Sequence, residues 1–268
     1  MSTLFNILSL TGYAIICGMA FRQIFGKRKK KNTPRPPDGL ILLTIALHTF
    51  VIFYLLTETD GLNLNLANTL SVTALVTVII FWLTSVQNSL DGFYIVVMPI
   101  AALCCGITLI PTGVEQAASM TAPLLTHVLL SVIAYGVLAV ASLQALFMAY
   151  IDRQIRYKRS GPLLEIMPPL QQLETLLFRY LLVGLLLLTA SLASGFGYME
   201  DMFAQHVAHK TAFSVIAWLL LTVLMLGHHF FGWRGRIAIR FSLIAFVLLL
   251  IGFIGSKFVL EVVLNNPV

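Results

Sequence analysis

The sequence predicts an all-α protein, a polytopic bundle of about eight membrane-spanning helices with N-terminus and C-terminus outside. Three observations predict it. Of 268 residues 59% are hydrophobic and 10% charged, and the mean hydropathy is +0.92, which leaves too little polar surface to cover a domain in water. Apolar runs of about 20 residues recur along the whole chain, the length an α-helix needs to cross a hydrocarbon core of about 30 Å. Basic residues cluster in alternate connections between those runs, the pattern by which a membrane protein records its topology. The net charge of +6 therefore speaks for a membrane and not for a nucleic-acid partner.

The predicted spans are 3–23, 39–57, 67–87, 92–111, 124–151, 174–198, 211–231 and 238–263. The first lacks a basic leader and has its positive charges behind it, opposite to a cleavable signal peptide, so it is expected to stay as a helix with its N-terminus outside. Ala14-Ile15-Ile16-Cys17 places a bulky Ile16 where a lipoprotein cleavage site needs a small residue, so no lipid is expected there. Lys27, Arg28, Lys29, Lys30, Lys31 and Arg35 follow helix one; Arg153, Arg156, Lys158 and Arg159 follow helix five; Arg234, Arg236 and Arg240 follow helix seven. These segments fall on one face, cytoplasmic by the positive-inside rule. The opposite connections are acidic or nearly neutral, with Glu58, Asp60, Glu115, Glu200, Asp201 and the lone Lys210. The basic run also favours anionic lipid headgroups by about 1 kcal/mol per charge. Residues 152–173 form the longest non-spanning piece, where Pro162 and Pro168-Pro169 would stop a helix; a re-entrant or surface-lying stretch is one reading. Residues 1–268 read as one transmembrane domain without a repeat or a soluble module.

No phosphate-binding loop, dinucleotide fingerprint, H-E-x-x-H or G-x-S-x-G motif occurs, so no enzyme with covalent chemistry of its own is expected. Cys17, Cys104 and Cys105 lie inside apolar runs and read as packing residues. The chemistry left is that of six histidines, since ionisable groups in a bilayer cost free energy and usually face a partner or a cavity. His48, near the middle of helix two, and His228, near the cytoplasmic end of helix seven, are candidates for axial haem ligands; the alternative for each is a hydrogen bond to a neighbouring helix. His229 points about 100° away from His228. His127, at the outer end of helix five, reads equally as a ligand or an interfacial histidine. His206 and His209, near Glu200 and Asp201, could hold a divalent metal, but a solvated loop is the simpler reading. Arg179 and Arg234 read as interfacial cations that could clamp haem propionates. Trp233 suits an interfacial anchor.

Several segments resemble the integral-membrane cytochrome c assembly superfamily. His48-Thr49 followed by Gly61, Leu66, Asn68 and Leu70 is similar to its H-T helix and G-x-x-P-L-x-N segment. His127-Val128 through Tyr135 resembles its H-V helix, and Leu173-Glu174-Thr175-Leu176 through Arg179, Gly184 and Thr189 its L-[DE]-x-L helix. Trp218, His228 and Gly232-Trp233-Arg234-Gly235-Arg236 resemble its closing W, H and G-W-R-G-R pattern. The resemblance implies a multi-pass inner-membrane protein of cytochrome c assembly or haem handling, with haem b between His48 and His228 and an outer haem site at His127. It also implies partners among other cytochrome-maturation membrane proteins. The tryptophan-rich outer loop expected at 198–211 is missing except for Lys210, as is a second outer histidine after helix eight. This departure places the chain nearer the HemX-like and YpjD-type branch than a full cytochrome c synthase. Two rival functions are a transporter or transport accessory for haem or a divalent cation, and a non-catalytic membrane scaffold.

Overall fold

The computed structural model describes residues 2–26, 35–57, 62–88, 90–110, 117–118, 121–158, 161, 163–164, 167–198 and 205–255, with 62, 117–118, 205–209 and 254 described by backbone alone. Eight α-helices run through them: α1 Ser2–Phe25, α2 Asp38–Thr57, α3 Leu66–Asn88, α4 Tyr94–Ile107, α5 Ala122–Arg156, α6 Leu170–Tyr198, α7 Gln205–Phe231 and α8 Arg236–Leu250. Seven of the described helices are long and apolar enough to cross a membrane. The exception, α4, has 14 residues and is extended at its start by a 3₁₀ turn, Asp91–Phe93, to a combined rise of about 27 Å. One two-residue antiparallel pair, β1 Leu62–Asn63 with β2 Ala117–Ala118, links two of the connections expected outside.

The helix ends depart from the predicted spans for local reasons. Helix α5 continues past 151 to Arg156 because Asp152 to Arg156 contains no helix breaker; polarity ends the membrane, not the helix. Helix α6 starts at Leu170, directly behind Pro168-Pro169, rather than at 174. Helix α4 stops at Ile107 and passes into a turn through Ile110, since Pro111 biases the residue before it away from helix. Between 157 and 169 no surface-lying helix occurs among the described residues. Regular α8 geometry ends at Leu250 and gives way to a π-helical turn, Ile251–Gly255. The basic run 27–31, the acidic residues Glu58, Asp60, Glu115, Glu200 and Asp201, and the tail 256–268 lie outside the described residues.

The helices gather into two compact units, one holding residues 1–118 and 153–169, the other 119–152 and 170–268. In the first unit α1 packs against α2 and α4, and α3 against α2 and α4. Its polarity is arranged for lipid: Asn6, Ser9, Thr44, His48 and Ser71 are buried, whereas Phe53 and Leu103 are 65% and 69% exposed. Water would make that outer surface an aggregation liability. These five polar groups are paired, as a hydrocarbon solvent demands, whereas Gln23 Oε1 is buried without a hydrogen-bond partner among the described residues. Asn6 Nδ2 donates to Thr108 Oγ1 at 2.7 Å and to the Cys105 carbonyl at 3.3 Å, and Cys105 Sγ donates to Asn6 Oδ1 at 3.4 Å. Asn65 caps α3 by accepting the Asn68 N–H at 2.8 Å, while Asn68 Nδ2 donates to the Asn63 carbonyl at 3.0 Å.

At the end expected in the cytoplasm, Arg35 donates to Asp38 at 2.8 Å and Trp82 Nε1 donates to the same oxygen at 3.0 Å. Arg35 Nε also stands 3.5 Å from Asp91 Oδ1, an ion pair without hydrogen-bond geometry. Burial pushes the Asp91 carboxyl above its ordinary value, and the Arg35 charge opposes that rise.

Close backbone approach holds α1 to α2. A Cβ on Gly12 would stand 2.4 Å from Thr44 Oγ1, so only glycine admits this contact, as at many helix pairs in membranes. Gly12→Val is expected to cost about 1–3 kcal/mol through overpacking, read as a lowered unfolding midpoint of the detergent-solubilised protein. An unchanged midpoint would show that the pair can part without loss.

Candidate functional site

Four histidines from the sequence reading, His48, His127, His228 and His229, are described with their side chains. His48, on α2 in the first unit, is fully buried. Its Nδ1 is 2.7 Å from the Tyr13 hydroxyl on α1, and its Nε2 is 2.9 Å from Ser71 Oγ on α3. Hydroxyls donate and accept, so a neutral imidazole satisfies both contacts in either tautomer. The Tyr13 ring meets the imidazole edge-on at 5.7 Å. As it stands, this histidine pins three helices together and offers no free nitrogen. Tyr13 lies 35 positions and Ser71 23 positions away in sequence, and neither was singled out by the sequence, whose helices are apolar on every face.

His228 has the opposite arrangement. It sits on the last turn of α7 in the second unit, half-buried, with Nδ1 2.9 Å from the Trp233 carbonyl. A carbonyl only accepts, so Nδ1 carries a proton, and in the neutral imidazole the lone pair is at Nε2. Among the described residues Nε2 has no hydrogen-bond partner. The ring stacks on Phe178 of α6 with centroids 3.5 Å apart and planes 15° from parallel. An imidazole whose second nitrogen donates to a carbonyl is the usual form of a metal-ligating histidine, since that bond fixes tautomer and ring orientation.

The chain builds this setting with glycines and one carboxylate. Gly232 adopts φ 67°, and the turn brings the Trp233 N–H back to the Gly227 carbonyl at 3.1 Å. A Cβ on Gly227 would stand 2.2 Å from the Trp233 ring; the indole needs that vacancy to lie against α7. Gly235, with φ 56°, donates its N–H to Glu174 Oε1 of α6 at 3.1 Å, immediately before α8 begins. Gln144 Nε2 of α5 donates to the Leu173 carbonyl beside it. The motif residues Glu174, Gly232 and Gly235 thus hold the loop that orients His228. Arg179 follows Phe178 and Arg234 follows Trp233; both are exposed and neither has a hydrogen-bond or ion-pair partner among the described residues, which suits a role toward an anionic group. His229 is exposed, edge-on to Phe230 at 4.9 Å.

His127, on the first turns of α5, repeats the pattern of His228. Its Nδ1 donates to the Ser191 carbonyl at 2.8 Å, with Ser194 Oγ at 3.1 Å, and Ser131 Oγ is 2.7 Å from Ser191 Oγ. Its Nε2 has no hydrogen-bond partner among the described residues. Gly184 allows the same two helices to close up, since a Cβ there would meet Leu138 at 2.5 Å. In the same unit the π-helical turn places Phe253 5.4 Å from the Tyr135 ring and 4.8 Å from Lys210 Nζ. The side chains of His206 and His209 lie outside the described residues. Among the described residues no three His, Cys, Asp or Glu side chains gather as a metal site.

For haem, the fit differs from residue to residue. His228 and His127 each present a fixed tautomer with a lone pair at Nε2, whereas His48 fits only by giving up one of its two hydroxyl partners. The family model described as Cytochrome C assembly protein matches residues 39–264. The chain is 29% identical over 264 residues to the inner membrane protein YpjD of Escherichia coli (strain K12), covering 97% of this chain and 98% of that protein. It is 35% identical over 141 residues to an uncharacterized 28.8 kDa protein of Azospirillum brasilense, 52% of each chain. With the cytochrome c biogenesis protein CcsA of Prochlorococcus marinus (strain MIT 9215) it shares 26% identity over 156 residues, 50% of each chain. No solved structure matches.

Proposed function

The chain belongs to the cytochrome C assembly protein family, and from that membership we propose that it is a haem-binding accessory protein of the bacterial inner membrane, acting in cytochrome c biogenesis without catalytic chemistry of its own. The observation that carries this reading is the His228 imidazole, with its Nδ1–H committed to the Trp233 carbonyl, its ring stacked on Phe178 and its Nε2 free. When bound, haem b would supply an iron that takes imidazole ligands and a macrocycle that prefers apolar walls. His228 would hold the iron through Nε2. His48 is a separate candidate ligand, whose Nε2 would be open only without the Ser71 hydroxyl. Arg179 and Arg234 would hold the propionates by charge-assisted hydrogen bonds. His127, prepared in the same way as His228, is the candidate for an outer haem contact. Other cytochrome-maturation membrane proteins are the proposed partners.

The test is an absorption spectrum of the full chain, purified in mild detergent from cells supplied with a haem precursor. A Soret band in proportion to protein is expected, shifting on reduction as an imidazole-ligated haem does. Protein that stays colourless after haem supplementation and after titration with hemin would overturn the proposal.

A further inference from the structure

The first unit carries a feature that haem binding does not use. A cleft of about 990 Å³ runs along the seam of α1 and α4. It exists because the seam is lined by small residues where larger ones would close it: Ala14 and Gly18 on α1, Ala102 and Gly106 on α4, with Pro99 between. A Cβ on Gly18 would meet nothing within 4 Å. Its rim is formed by Phe21 and Leu103, which are more than half exposed, so the cleft opens sideways along the helices. Its walls are apolar along their length, and the polar group at its end is Arg22.

Arg22 is exposed on the last turn of α1, at the end that the basic run 27–31 assigns to the cytoplasm. It has no ion pair or side-chain hydrogen bond among the described residues. From Arg22 to Leu10, the far lining residue on α1, the helix rises about 18 Å, against about 15 Å for one leaflet of a 30 Å core. An apolar slot at least one leaflet deep, reaching Ile110 beyond the end of α4 and capped by the Arg22 guanidinium, matches an acyl chain with an anionic phosphate at its end.

We propose that this cleft binds one anionic phospholipid of the inner leaflet, an acyl chain against Gly18 and Ala102 and the phosphate on Arg22. No proposed haem ligand lines the cleft, although Tyr13, which holds His48 Nδ1, does; the lipid readout needs no haem. Native mass spectrometry of the full chain in mild detergent, titrated with phosphatidylglycerol or phosphatidylcholine of the same chains, tests it. Wild type is expected to take up a first phosphatidylglycerol about fivefold more readily than phosphatidylcholine. Arg22→Gln removes the preference and leaves uptake of either lipid. Gly18→Leu fills the slot and removes the first adduct of both, with an unchanged unfolding midpoint showing that the fold survives. Equal uptake of the two lipids by wild type, or a preference that persists in Arg22→Gln, would overturn the assignment. So would displacement of the lipid by sn-glycerol 3-phosphate, which would make Arg22 a free-phosphate site, or a dimer mass in place of lipid adducts.

Discussion

In His228→Ala protein the Soret absorbance per mole of chain is expected to fall roughly tenfold or more, because even outer-shell changes at metal-ligating histidines cost about 10–100-fold. The loss should exceed that of any other histidine variant, since His228 alone combines a free Nε2, a proton fixed on Nδ1 by the Trp233 carbonyl and a stacked Phe178 ring at the proposed membrane haem site. His48→Ala is expected to weaken the band, the result for a residue proposed as a haem ligand. Ser71→Ala is the informative companion. If iron takes the place of the Ser71 hydroxyl on His48 Nε2, deleting that hydroxyl leaves haem binding intact or tighter, whereas a purely structural His48 would lose a buried partner and gain nothing. Full Soret intensity in His228→Ala would remove His228 from the site and with it the main support for haem handling.

Gly227→Val is the second large effect. The new side chain would meet the Trp233 ring at contacts as short as 2.2 Å, and the indole also neighbours Phe241, with ring centroids 5.6 Å apart. Neither neighbour can yield without disturbing the turn. The Trp233 N–H would leave the Gly227 carbonyl, and the Trp233 carbonyl would leave His228. A loss of about 1–3 kcal/mol is expected from overpacking, together with the Soret band, read by thermal unfolding in detergent beside the absorption spectrum. Gly227→Ala should act in the same direction. A variant that unfolds at the wild-type midpoint and keeps its haem would show that the indole does not need this space.

How much of this was legible before the fold was known depended on what each feature rests on. Span number rests on length and hydropathy, local properties that a single chain displays. Span ends rest on breakers as well as polarity: α6 follows Pro168-Pro169 and α5 runs through Asp152 to Arg156 for want of a breaker. The histidines themselves stood out because ionisable groups are costly in lipid. Their partners did not, because Tyr13, Ser71, Phe178 and Ser191 are ordinary residues of membrane helices that matter only once separate helices meet. Glu174 and Gly235 lie 61 positions apart, and no periodicity links them. A helix that is apolar all round gives no phase from which to read a facing residue, so His48 and His228 looked alike in sequence although one is tied at both nitrogens and the other at one.

The 35 residues of α5 make a rod of about 52 Å, well beyond the depth of the oily layer it crosses. Arg153 and Arg156 on its last turn resist being drawn inward, so the surplus extends past the oily layer at that end, the one that the basic residues mark as cytoplasmic. A helix longer than the layer it crosses turns any tilt of its buried part into a larger sideways displacement of its polar end.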